Sequence, residues 1–261
     1  MPKIMAVTNQ KGGVGKTTTA INLGAALAEL GRKVLIVDLD PQGNASTGLR
    51  IEANDRAKST YDLLLEEMPV SEVIRPTGIA RLYIAPATTD LSSADIELVA
   101  NEKRSHLLHD ALRSVDTQGL GLDYVLIDSP PSLNLLTVNA LVASHSVLIP
   151  LQSEFFALEG LSQLMLTIRE IREAANRQLR IEGIVLTMHD LRNNLSRQVE
   201  EDARGTLGNL VFKTMIPRNV RVSESPSFAM PVTSYDPMSK GALAYVALAK
   251  ELDEKSQRSS E

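Results

Sequence analysis

The sequence predicts an α/β fold: a doubly wound, mostly parallel sheet with helices on both faces. Three observations predict it. Short apolar or β-branched runs alternate with helical patterns along most of the chain, the signature of parallel strands joined by crossover helices. Several of these runs, such as Val34-Leu35-Ile36-Val37 and Tyr124-Val125-Leu126-Ile127, are apolar at every position, as strands covered on both faces must be. The first run, Ile4-Met5-Ala6-Val7, passes through a Gly-rich segment straight into a helical pattern.

Taken in order, strands are expected at 4–8, 33–38, 81–85, 123–128, 146–150, 181–187 and 211–216. Helices are expected at 16–30, 93–114, 133–144, 158–176 and 193–207. The polar stretch Arg50 to Lys58 reads as a loop, and between Tyr61 and Gly121 the pattern says little beyond strand and helix. Ala244 to Glu254 is small-sided and acidic at its close, which reads as a packing helix. Asp253 to Glu261 reads as a polar, disordered tail after one domain spanning residues 1–252.

With 261 residues and 43% hydrophobic content, the chain can bury a full core. It has no cysteine, which excludes disulfides, thiolate metal sites and iron–sulfur clusters. No run approaches the roughly 20 apolar residues of a membrane span. The first strand begins within three residues of the start, leaving no room for a signal peptide, so a cytoplasmic protein without a membrane partner is expected. The formal net charge of −5 argues against a generally basic nucleic-acid binder and confines any such contact to a local patch.

The Gly-rich segment reads Lys11-Gly12-Gly13-Val14-Gly15-Lys16-Thr17-Thr18. A strand before it and a helix after it make it a phosphate-binding loop. Gly12, Gly13 and Gly15 let successive N–H groups turn inward on phosphate oxygens, and the anion rests on the positive end of the following helix. All eight residues are therefore candidate ATP contacts: Lys16 as a point charge on the β- and γ-phosphates, Thr17 as a Mg²⁺ ligand, and Thr18 at the α-phosphate. Asp128 closes a buried strand and reads as a carboxylate holding Mg²⁺ through water, although a strand-terminal Asp is also a common helix cap. Asp38 and Asp40, two residues apart on an extended chain, leave on the same side.

The loop departs from the common Walker A pattern, with Lys11 four residues before Gly15 and Gln10 where the first Gly would stand. Together with Asp38-Leu39-Asp40-Pro41-Gln42-Gly43 and Asp123-Tyr124-Val125-Leu126-Ile127-Asp128-Ser129-Pro130-Pro131, the chain resembles the deviant Walker A ATPases. Within them it is similar to the ParA/Soj partitioning group, from Lys3 to about Leu252. The resemblance implies a Mg-dependent ATPase in which Lys11 crosses to the ATP of a second subunit, giving an ATP-dependent homodimer. It implies that Asp40 positions the attacking water, that Asp38 supports the metal region, and that Pro217 and Asn219 lie near the base. Arg192, Arg197, Arg204, Lys213, Arg218 and Arg221 gather positive charge in the last third of the chain. Of these, the resemblance implies that Arg192 and Arg221, with Arg218 beside them, bind double-stranded DNA without sequence preference, giving a nucleoid-associated protein. A ParB-type centromere-binding partner that stimulates hydrolysis is implied by the same resemblance.

Two alternatives share this engine: a MinD-like membrane-associated ATPase and a ParA-like ATPase that positions a protein cargo. The first needs a C-terminal amphipathic helix with bulky apolar and basic faces, which Ala244 to Glu254 lacks. A tyrosine kinase built on such a loop would need a tyrosine-rich tail, and no tyrosine follows Tyr245. His106 and His109 lie three apart without a visible third metal ligand and read as surface residues. Ser129 precedes Pro130-Pro131 and reads as part of a rigid loop, while Met188 reads as core.

Overall fold

The computed structural model describes residues 1–154 and 157–258. Its strands are β1 (Lys3–Val7), β2 (Val34–Asp38), β3 (Arg75–Pro76), β4 (Leu82–Ala85), β5 (Tyr124–Asp128), β6 (Ser146–Gln152) and β7 (Arg180–Thr187). They form one sheet in the order β3-β4-β2-β5-β1-β6-β7, parallel throughout except for the short β3. The register sets Val7 and Asp38 on either side of Asp128. Three strands thus end level with one another, and the loop leaving β1 emerges beside two carboxylates.

Alternate residues of every central strand enter different cores. Ile4, Ala6, Leu35, Val37, Val125, Ile127, Val147 and Ile149 face one side, packed by the helices Leu107–Arg113, Leu135–Ala143 and Ala157–Ala174. Met5, Val7, Val34, Ile36, Leu126, Leu148 and Val185 face the other, under the helices Lys16–Glu29 and Lys240–Arg258. Burial on both faces is why these runs show no polar alternation.

Three expectations are corrected. Residues 211–216 do not form a strand, although Val211, Phe212 and Ile216 are buried. The N–H groups of Phe212 and Ile216 donate to Ile184 and Leu186 of β7. Between them the chain bows away, and the N–H groups of Lys213 and Thr214 donate instead to the Glu251 carboxylate at 2.8 and 2.9 Å. The expected helix 93–114 is broken into Ala94–Glu97 and Leu107–Arg113. Buried Asn139 sits at the break, donating to the Arg104 carbonyl at 2.7 Å and accepting from the Leu108 N–H at 3.2 Å.

The expected disordered tail from Asp253 is helical as far as Arg258. The Asp253 carboxylate accepts two bonds from Arg32, at 3.0 and 2.7 Å, and one from the Tyr124 hydroxyl at 2.8 Å. Lys3 Nζ donates to Ser256 Oγ one turn on. Residues 259–261 of that tail lie outside the described residues. The polar stretch Arg50 to Lys58 is a loop around one short turn, Ala53–Arg56.

Candidate active site

The loop after β1 is fastened at both ends. Asn9 donates to the Pro150 carbonyl of β6 at 2.8 Å and accepts the Lys11 N–H at 3.0 Å. Thr187, at the end of β7, donates to the Val14 carbonyl at 2.8 Å. Between these anchors Gly13 and Gly15 adopt φ of 76° and 90°, the left-handed region that glycine enters without strain. Gly15 is the N-cap of the helix Lys16–Glu29 and offers it no side-chain cap. The first N–H groups of that helix have no acceptor within the helix and point out of its positive end. This is the chemistry of an anion cradle.

Lys16 is buried, and its ammonium donates to the Lys11 carbonyl at 3.1 Å. Burial lowers its pKa, while the nearby charges of Asp128 and Asp40 oppose the change. Asp128 is fully buried, and among the described residues no donor meets either of its oxygens at good hydrogen-bonding geometry. Burial, reinforced by the charge of Asp38, pushes its carboxyl well above the usual range, while the Thr17 hydroxyl works the other way. An unpartnered buried carboxylate beside a threonine hydroxyl is the donor set a hard divalent cation takes.

Asp38 differs. Its oxygens accept from the Asp40 N–H (3.2 Å), the Ser46 N–H (2.9 Å) and the Ser46 hydroxyl (2.7 Å), and burial still pushes its carboxyl up to about 6. It is engaged in holding the Asp40 turn and the helix Asn44–Gly48 in place, which leaves Asp128 as the carboxylate with open oxygens. Asp40 is nearly buried and accepts the Gln42 N–H at 3.0 Å.

A cleft of about 420 Å³ opens beside the loop, lined among others by Gly15, Thr18, Thr187, Met188, Pro217 and Asn219. Pro217 and Asn219 thus line the same cleft as Gly15. Asn219 also caps the helix Val220–Glu224, accepting from the N–H groups of Arg221 and Val222. Met188, half-buried just past β7, lies in the cleft wall rather than in the core, and its backbone is left-handed (φ 50°).

Two contacts that sequence reasoning missed complete the site. Glu154 forms an ion pair with Lys11 at 2.8 Å, and Thr187 ties down the loop crest. Both follow apolar strand runs, so their position at carboxyl ends was the available signal. Ser129 donates to the Val7 carbonyl at 3.0 Å, a backbone tie. His106 and His109 bond to Ser105 and Asp110, and no group of three metal-ligating side chains occurs among the described residues.

The candidate DNA contacts fall on adjoining segments, because the Arg218 N–H donates to the His189 carbonyl at 2.9 Å. The Arg192 side chain is 91% exposed and held by Asp190, Arg218 is exposed, and Arg221 is shared between Glu224 (2.9 Å) and Asp236 (3.2 Å). Arg204 pairs with Glu200, and Arg197 bonds to Asn194.

A family model described as an AAA domain (AAA_31) matches residues 2–181. The chromosome partitioning protein ParA of Caulobacter vibrioides is 53% identical over 250 residues, covering 96% of this chain and 93% of that protein. The sporulation initiation inhibitor protein Soj of Bacillus subtilis is 52% identical over 252 residues, covering 97% and 98%. Among solved structures, cobyrinic acid a,c-diamide synthase from Mycobacterium smegmatis with bound ATP analogue and magnesium aligns with a TM-score of 0.82 at 36% identity, over 96% of this chain and 93% of that one. Identity at this level over nearly the full length of both proteins means that the chain belongs to the ParA/Soj family of chromosome-partitioning ATPases.

Proposed function

We propose that this ATPase works as an ATP-dependent homodimer that binds DNA without sequence preference and releases it when a ParB-type partner stimulates hydrolysis. The observation that carries the reading is the convergence of a donor-lined loop, buried Lys16 and the unpartnered carboxylate of Asp128 at the ends of β1 and β5. The ATP analogue and magnesium bound by the Mycobacterium smegmatis protein support ATP and Mg²⁺ as the ligands here. Bound Mg²⁺ would neutralise phosphate charge, held by Thr17 and, through water, by Asp128.

In this reading the N–H groups from Lys11 to Thr18 orient the phosphates, Lys16 draws charge from the γ-phosphate, and Asp40 orients water for in-line attack. Pro217 and Asn219 confine the base. Lys11 leaves Glu154 and reaches across to the second subunit's ATP. Asp40→Ala is expected to slow hydrolysis about 100-fold while the protein still dimerises with ATP. A variant that stays monomeric with ATP in size-exclusion chromatography would contradict the water-positioning role.

Among the described residues Gly12 has no heavy atom within 4 Å of where a Cβ would stand, so none of them requires glycine there. Gly12→Val should therefore fold and bind ATP normally, yet fail to dimerise because its side chain projects into the facing subunit. A normal ATP dimer by light scattering would reject the face-to-face arrangement.

Arg192, Arg218 and Arg221 are proposed to contact DNA phosphates. Dimerisation doubles the patch, which makes DNA binding conditional on ATP. Arg192→Ala or Arg221→Ala should each weaken binding to a random duplex and reduce the slope of log affinity against log salt by about 1 per subunit, with ATP affinity unchanged. Unchanged affinity and slope would move the DNA surface elsewhere.

The membrane alternative is disfavoured by the closing helix, whose Ala242, Tyr245, Leu248, Ala249 and Leu252 are all buried against the sheet. No described helix is long and apolar enough to cross a membrane. The test of the whole reading is binding to a random-sequence duplex with ATP and with ADP, beside flotation on anionic liposomes. Salt-sensitive DNA binding with ATP alone is expected, and ATP-dependent liposome binding without DNA binding would overturn it.

A further inference from the structure

We propose that His189 is a positioning residue that couples the base-side wall of the nucleotide cleft to the helix Asn194–Leu207, and through that helix to the basic surface. The inference rests on the reading above in taking that surface to be the DNA-binding one.

The backbone of His189 clamps the cleft wall. Its N–H donates to the Ile216 carbonyl at 3.0 Å and its carbonyl accepts the Arg218 N–H at 2.9 Å. These two bonds bracket Pro217, while the residue before, Met188, is itself part of the wall. Any ligand that presses on Met188 and Pro217 therefore acts directly on the backbone of His189.

The side chain points the other way, into the protein, and the residue is only 5% exposed. Nδ1 lies 3.4 Å from the hydroxyl of Ser153, which is followed by Glu154, the ion-pair partner of Lys11. Nε2 lies 3.4 Å from Glu200 Oε2 on the helix, yet meets no acceptor at hydrogen-bonding geometry. The other Glu200 oxygen holds Arg204 at 2.9 Å. One buried ring thus stands between the wall, the end of β6 and a helix whose N-cap, Asn193, directly follows Arg192 of the basic surface.

A buried ring nitrogen 3.4 Å from a carboxylate but out of line with it is unfavourable as it stands, and a small shift of the helix aligns the bond. On this proposal the helix has a second position, in which the bond to His189 is made. A ligand on the wall biases the choice because the same residue supplies both contacts.

The test is amide hydrogen exchange of the helix Asn194–Leu207 with and without ADP, a ligand that touches the wall without requiring the dimer. In the unmodified protein ADP is expected to slow exchange across the helix about fivefold. His189→Leu, which fills the space without polar atoms, and Glu200→Ala should abolish that response while ADP affinity stays within about twofold. His189→Gln, which keeps a donor near the Nε2 position, should restore it, a rescue that simple packing would not give.

An equal response in His189→Leu, or no helix response in the unmodified protein at saturating ADP, overturns the coupling. In parallel, His189→Leu should lower the ratio of DNA affinity with ATP to that with ADP about fivefold. If the unmodified protein shows no ATP-dependent DNA binding, the functional reading fails, while the exchange result still decides the coupling.

Discussion

Lys16→Ala is expected to raise the dissociation constant for ATP at least 100-fold, from the loss of two charge-assisted bonds worth about 3–6 kcal/mol together. The structure explains why so much rests on one side chain. The Lys16 ammonium is buried beside Asp40 and Asp128, so the variant loses a cation and leaves carboxylates facing the incoming phosphates. Without nucleotide it donates to the Lys11 carbonyl, and breaking that bond costs little. The fold should survive, since alanine suits the first turn of the helix Lys16–Glu29. Isothermal titration calorimetry reads the effect, and an affinity within threefold of the original would remove Lys16 from the phosphate site.

Asp128→Asn should act in opposite directions on stability and turnover. The carboxylate is fully buried and, among the described residues, has no donor at good hydrogen-bonding geometry on either oxygen, an arrangement that destabilises the nucleotide-free protein. A neutral amide of the same shape relieves that penalty by about 1–2 kcal/mol, and a rise in melting temperature of about 2–4 °C per kcal/mol follows. The same change removes the charge proposed to hold the hydrated cation, so turnover with Mg²⁺ and ATP should fall about 10- to 100-fold. Thermal melts without nucleotide and steady-state phosphate release measure the two effects. A variant that melts lower and turns over normally would make Asp128 a structural residue.

What could be read in the sequence follows from how locally each feature is encoded. The phosphate loop is contiguous, so its glycines, Lys16 and threonines announce themselves through spacing alone. Asp38 and Asp128 were legible as strand-terminal carboxylates, because the buried runs before them mark where each strand ends. Whether such a carboxylate is engaged was not legible: Asp38 is occupied by Ser46, and nothing near Asp128 in the sequence shows that it lacks a donor.

The misread elements share a cause, a partner distant in sequence. Val211 to Ile216 has the burial of a strand, but Glu251 takes two of its N–H groups. The helix expected at 93–114 yields to Asn139, and the charged residues after Leu252 are ordered by Arg32 and Tyr124. Glu154 escaped notice because its pairing with Lys11 depends on β6 lying next to β1, a sheet order that strand patterns do not encode.

In the proposed dimer, the ion pair between Lys11 and Glu154 makes subunit association an exchange reaction. Lys11 enters the dimer already neutralised, at a half-exposed pair worth about 0.2–1 kcal/mol, and trades a carboxylate for phosphates. Added salt screens the pair it leaves as well as the contact it makes, so the two losses largely cancel. Arg192 and Arg221 also leave carboxylate partners, but their contacts with DNA carry a further salt dependence, because binding expels counterions from the duplex. Across a salt titration the two assemblies should therefore separate, leaving ATP-bound dimers intact at ionic strengths where they no longer hold DNA.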